Sequence, residues 1–77
     1  MEEASIIAIL AENVRQRRKE AELSQEELAF RAGLDRTYIS QVERRLRNVT
    51  IGVLARLATA LRTTPDQLLI RSRKSSR

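Results

Sequence analysis

Seventy-seven residues allow one small domain, and chains this short bury only about 60% of the surface that their unfolded form exposes. With no Cys and no His, disulfides and the usual zinc ligand sets are excluded as reinforcement, which leaves regular helices or a second protein chain, and the side chains most used for thiol or acid–base catalysis are missing. The formal charge is +5, from 15 Lys+Arg against 10 Asp+Glu, which favours polyanions such as nucleic acid; four of the cations sit in Arg71-Ser72-Arg73-Lys74-Ser75-Ser76-Arg77, so residues 1–70 carry only +1 and any nucleic-acid face must come from how charges are sorted.

The start, Met1-Glu2-Glu3-Ala4-Ser5, is acidic, unlike a secretory signal. A first helix is predicted from about Ser5 to Ala21, with Ile7, Leu10, Ala11, Val14 and Arg18 at helical spacing and Ile6 alongside. Its late turns hold Arg15, Arg17, Arg18 and Lys19, which match the negative end of the helix dipole as a solvated face; phosphate contact is the other use of such a cluster. The second helix starts at Ser24, where Ser24-x-x-Glu27 reads as a capping box and Leu23 with Leu28 as a hydrophobic staple. Leu28, Ala29 and Ala32 form its buried stripe, and Gly33 ends it in the left-handed conformation that costs a glycine least.

The third helix starts at Asp35, an N-cap residue, with Leu34 and Ile39 at staple spacing. Ile39 and Val42 point inward; Arg36, Thr37, Ser40, Gln41 and Arg44 lie opposite, and Glu43 stands at the core edge, suited to pairing with a nearby arginine. Arg45-Leu46-Arg47-Asn48-Val49 forms a loop. Thr50 caps the fourth helix, whose apolar face is Leu54, Leu57, Ala58 and Leu61. Thr64-Pro65-Asp66-Gln67 opens a fifth, with threonine as cap, proline at N1 and Gln67 completing a box, followed by Leu68, Leu69 and Ile70. Alternating apolar patterns are missing, so the expectation is an all-α, compact five-helix bundle over residues 1–70, with 71–77 a basic, disordered tail. No apolar run approaches the ~18 residues of a membrane span.

Two short helices around a tight turn at Gly33 form a helix-turn-helix, in which the first helix crosses the phosphate backbone and the second enters the major groove. Arg36 and Thr37 lead the second helix; arginine pairs bidentately with guanine, glutamine with adenine, and a threonine methyl meets a thymine methyl. Gln41 lies one turn further on, and Ser40 is small enough for close approach. An Arg-Thr-Ser-Gln face is also what an ordinary polar helix surface looks like; the capped turn before it favours DNA. Gln25 at the first turn of the second helix suits a phosphate or plain solvent. Tyr38 either packs its ring at the core edge or offers its hydroxyl to DNA. Arg44, Arg47 and Asn48 are placed to skirt the backbone or reach a neighbouring base.

Residues 8–70 resemble the lambda-repressor-like, Cro/cI-type (Xre-like) helix-turn-helix family. The resemblance is carried by Leu23-Ser24-Gln25-Glu26-Glu27-Leu28-Ala29, Ala32-Gly33-Leu34, Tyr38-Ile39-Ser40-Gln41-Val42-Glu43-Arg44 and Leu54-x-x-Leu57-Ala58-x-Ala60-Leu61. Asp35-Arg36-Thr37-Tyr38-Ile39-Ser40 and Arg47-Asn48-Val49-Thr50-Ile51 look like the controller proteins of restriction–modification systems, small stand-alone dimers that bind operators. The resemblance implies base contacts from Arg36, Thr37 and Arg47, backbone contacts from Gln25, Tyr38, Ser40 and Asn48, and a homodimer formed around the fifth helix. It implies no cofactor and no small-molecule effector, and a cytoplasmic location on the nucleoid. Many family members have glycine at the position of Arg45.

A dimer is expected on physical grounds too. One recognition helix covers about 4–5 base pairs, too few to specify a genomic site, so two copies read half-sites about one DNA turn apart in a palindromic operator. Leu57, Leu61, Leu68, Leu69 and Ile70 are the candidates for the seam, each with the competing role of core residue. An antitoxin or a phage-type repressor would use the same fold, although an antitoxin normally adds a toxin-binding segment for which the short tail is a poor candidate. A single-strand or RNA binder would want stacking aromatics, and only Phe30 and Tyr38 are present.

Overall fold

A computed structural model describes residues 2–71; the tail expected beyond lies, from residue 72, outside the described residues. Five helices follow in order: α1 (Glu3–Glu20), α2 (Gln25–Ala32), α3 (Arg36–Glu43), α4 (Ile51–Ala60) and α5 (Pro65–Leu68). The described residues are thus helical with no strand, the architecture expected.

The first four helices stop by one device. Glu22, Gly33, Arg45 and Arg62 all take the left-handed conformation, with φ of 59, 71, 66 and 58°. The residue after each turns its amide back to a carbonyl five positions earlier: Leu23 to Arg18 at 3.0 Å, Leu34 to Ala29 at 2.8 Å, Leu46 to Gln41 at 2.8 Å and Thr63 to Ala58 at 2.9 Å. These Schellman closures satisfy carbonyls that a helix end would otherwise leave unpaired. Because Ser24, Asp35 and Thr64 start the next helix at once, only the connection from α3 to α4 is long. Arg45 therefore takes, without being glycine, the same left-handed conformation that Gly33 takes at the end of α2.

Gly33 has a second reason to be glycine. Arg56 of α4 donates from Nε to Ala32 O at 3.0 Å and from Nη2 to Gly33 O at 2.6 Å, clamping the α2–α3 turn. A Cβ on Gly33 would lie 2.6 Å from that Nη2.

The Ser24 box forms as expected: Ser24 Oγ accepts from the Glu27 amide at 2.9 Å, and the Ser24 amide donates to Glu27 Oε1 at 2.7 Å. That amide bond, with the hydroxyl's, holds the Glu27 carboxyl below its usual range. Thr50 caps α4 by accepting from the Val53 amide at 3.1 Å. Two caps differ from expectation. Asp35 and Thr64 occupy the N-cap backbone position without a side-chain cap bond, so the expected Thr64–Gln67 box does not close. The Thr64 side chain engages Asp66 instead, holding that carboxyl below its usual value.

The core joins Leu10 and Val14 of α1, Leu28, Ala29 and Ala32 of α2, Ile39 and Val42 of α3, Leu54, Leu57 and Ala58 of α4, Leu61, and Leu68 of α5. α3 packs on α1 and α2, α4 on α2, and α5 closes the far end against α1 and α4. The inward face of α1 keeps the expected Leu10, Ala11 and Val14 and adds Ile9 and Asn13. Ile9, Leu10, Ala11, Asn13 and Val14 are buried, while Ile6 and Ile7 are half-buried. Asn13 is the polar member of that face: its Nδ2 donates to Leu68 O at 2.9 Å and Ile70 O at 2.8 Å, so a buried amide sits where a reading by apolar residues alone places none.

The residues expected at the dimer seam divide between core and surface within the single chain. Leu57 and Leu68 are 0% exposed and Leu61 8%, because the single chain consumes them where α4 meets α5. Leu69 is half-buried against the core, and Ile70 is exposed.

Candidate nucleic-acid interface

α3 is fixed by its inner face, where Ile39 and Val42 are buried. The opposite side carries Arg36, Thr37, Ser40, Gln41 and Arg44, in order from the leading turn. Arg36, Thr37 and Arg44 are exposed, and Ser40 and Gln41 half-buried. Residues spaced i, i+1, i+4, i+5 and i+8 share one face of a helix. The three-residue turn Gly33–Asp35, clamped by Arg56, sets the direction in which that face looks.

Behind α3 lies a hydrogen-bonded hub. Arg18 donates to Glu43 from Nε to Oε2 at 2.7 Å and from Nη2 to Oε1 at 3.1 Å, and from Nη1 to Leu23 O at 2.8 Å. Gln25 Nε2 adds a bond to Glu43 Oε1 at 3.1 Å. The Arg18 and Glu43 side chains are 12% and 5% exposed. This bidentate pair ties the end of α3 to α1, to the α1–α2 turn and to the start of α2. It meets the expectation of an arginine partner for Glu43 and neutralises the one acidic side chain of α3. Gln25, expected at a phosphate, spends one amide N–H on Glu43 and keeps a second.

The hub forms one wall of a cleft of about 300 Å³ lined by Arg15, Arg18, Lys19, Gln25, Glu43 and Arg44. With Arg18 and Glu43 cancelling, Arg15, Lys19 and Arg44 leave the cleft cationic. Arg15 and Lys19 belong to the basic cluster for which the sequence leaves open a solvated face or phosphate contact; their i, i+4 spacing sets them on one face of α1 while Arg18 turns inward.

The other expected contacts fall into two places. Tyr38 packs its ring against the core edge, and the Arg47 guanidinium lies over it, 4.5 Å from the centroid. Arg47 Nε also donates to Gln41 Oε1 at 2.8 Å. Tyr38, Gln41 and Arg47 therefore meet beside the outer face of α3. Asn48 is drawn away from them, its Nδ2 donating to Glu3 Oε2 at 2.6 Å. Among the described residues no group of three or more His, Cys, Asp or Glu side chains is placed to hold a metal ion, and no helix is long and apolar enough to cross a membrane.

A helix-turn-helix family profile, HTH_3, matches residues 14–68. The chain is 57% identical over 63 residues to the control protein C.SmaI of Serratia marcescens, covering 82% of this chain and 75% of that protein. Among solved structures, the hypothetical transcription factor NHTF from Neisseria superposes with a TM-score of 0.87 at 39% identity, over 99% of this chain and 87% of that one. The restriction–modification controller protein C.Esp1396I, solved as a tetramer in complex with its natural 35-base-pair operator, superposes with a TM-score of 0.76 at 33% identity, over 82% of this chain and 83% of that one.

Proposed function

The chain belongs to the helix-turn-helix family HTH_3, and from that premise we propose that it is a sequence-specific transcriptional regulator that binds a palindromic duplex operator as a homodimer, the controller of a restriction–modification system. The observation that carries the reading is the outer face of α3: Arg36 and Thr37 lead it exposed, on a helix locked from behind by Ile39, Val42 and the Arg18–Glu43 pair.

The major groove admits one α-helix, and its base edges are read by the side chains that the helix presents first. Arg36 offers a two-pronged donor for guanine O6 and N7, Thr37 a hydroxyl and a methyl, and Ser40 room for the duplex to come close. With α3 seated, the cleft holding Arg15, Lys19 and Arg44 faces a backbone phosphate, assisted by the free amides at the start of α2 and the second N–H of Gln25. The protein works by binding, with no cofactor.

Two copies supply enough base pairs to specify a site. After the core has taken Leu57, Leu61 and Leu68, the interface is assigned to Leu69 and Ile70 with Ile51, which is 86% exposed on the first turn of α4; Phe30 and Leu46 are the other large apolar side chains exposed among the described residues. The controller role rests on the identity with C.SmaI, and the operator-bound tetramer of C.Esp1396I supports assembly of copies on DNA. Footprinting on the DNA upstream of the protein's own gene tests the reading. Two protected half-sites one helical turn apart are expected, and an unprotected upstream region overturns the controller assignment.

A further inference from the structure

We propose that Tyr38, Gln41 and Arg47 form one base-reading unit, in which Tyr38 and Gln41 hold the Arg47 guanidinium for a single guanine, instead of Gln41 and Arg47 reading separate base pairs. The proposal rests on the DNA-binding reading above and deepens it.

Arg47 lies in the connection between α3 and α4, where no helix restrains its side chain. A free arginine loses much rotamer entropy when it docks, and a pre-placed fork loses less. Here the backbone and two side chains place it. The left-handed turn at Arg45 and the bond from the Leu46 amide to Gln41 O fold the chain back over the end of α3. The Tyr38 ring then supports the guanidinium from below, and Gln41 Oε1 accepts from Nε. Only Nε is used, so Nη1 and Nη2 remain as the outward pair of donors. Two parallel donors match O6 and N7 of guanine.

The same bond decides what Gln41 offers. An amide reads adenine by accepting at its oxygen while donating from its nitrogen. With Oε1 turned to Arg47, the side chain is oriented and its Nε2 is left as the outward donor. The unit therefore presents donors to the groove. It favours edges with acceptors, guanine above all, and disfavours the amino groups of adenine and cytosine.

The test is selection from a random duplex pool with the wild type, Arg47→Ala, Gln41→Ala and the double variant, each followed by binding to single-base variants of the selected site. All three variants are expected to lose preference for guanine at the same base pair, each by about tenfold or more, with the double variant no worse than Arg47→Ala. Tyr38→Phe keeps the ring and is expected to keep the preference. Preferences lost at two different base pairs with multiplicative effects, or lost in Tyr38→Phe, overturn the unit while leaving α3 as the reader. A wild-type protein that enriches no sequence overturns the DNA-binding reading and the unit with it. Thermal melting of each variant separates loss of preference from loss of fold.

Discussion

Single residues divide the interface into those that read and those that hold. Arg36 reads: it is exposed at the front of α3, and among the described residues no ion pair restrains it. Arg36→Ala is expected to cost ~1–3 kcal/mol of discrimination at one base pair while leaving the melting temperature unchanged; titrations against single-base operator variants check both. Glu43 holds. Glu43→Ala leaves Arg18 with its guanidinium largely buried and uncompensated, and removing one partner of a buried pair costs roughly 3–5 kcal/mol. Chemical denaturation should show that loss, and DNA affinity should fall only as far as the folded fraction does at moderate temperature. The sequence made the partition half visible. Glu43 was legible as a residue needing an arginine, because it falls between the inner and outer faces of α3. That the arginine is Arg18 was not legible, because Arg15, Arg17, Arg18 and Lys19 form one basic run and only the packing of α1 against α3 turns one of them inward.

At the scale of helices, ends carried more information than middles. Ser24, Gly33, Thr50 and Pro65 marked the boundaries because capping chemistry is local and needs no knowledge of the partner. The face of α1 was only partly local. Beside the legible Leu10, Ala11 and Val14 it includes Asn13, whose amide binds carbonyls fifty-five and fifty-seven positions away. The two glycines make opposite predictions. Gly33 has both a left-handed backbone and Arg56 Nη2 2.6 Å from where a Cβ would stand, so Gly33→Ala is expected to destabilise by about 1–3 kcal/mol. A Cβ on Gly52 would meet nothing nearer than Thr50 Oγ1 at 3.9 Å. Gly52→Ala in the first turn of α4 is therefore expected to stabilise by roughly 0.5–1 kcal/mol. Thermal unfolding of the two variants side by side checks the contrast.

For the molecule as a whole, composition was a weaker guide than arrangement. Residues 1–70 carry a net charge of only +1, yet the fold gathers Arg15, Lys19 and Arg44 around one cleft and pairs Glu43, in the cleft wall, with Arg18. Binding to duplex DNA is expected to weaken steeply with salt as phosphate contacts release counterions. The slope should fall by about one contact's share per copy in Lys19→Ala, with base preference unchanged; affinity measured over a salt series gives both quantities. The seam between copies was the least legible part of the chain, because a leucine in a short helix serves a core and an interface equally well by sequence. Only the packing of α4 on α5 assigns Leu57, Leu61 and Leu68 to the core.

The central claim is that α3 enters the major groove with Arg36 and Thr37 foremost. Guanine N7 methylation interference on the selected operator tests it most directly, because N7 lies on the major-groove edge that an arginine fork contacts. The account predicts loss of binding when guanines are methylated in each of two half-sites one turn apart, with the effect at one guanine per half-site abolished in Arg36→Ala. Full binding to DNA methylated at every such guanine would contradict it.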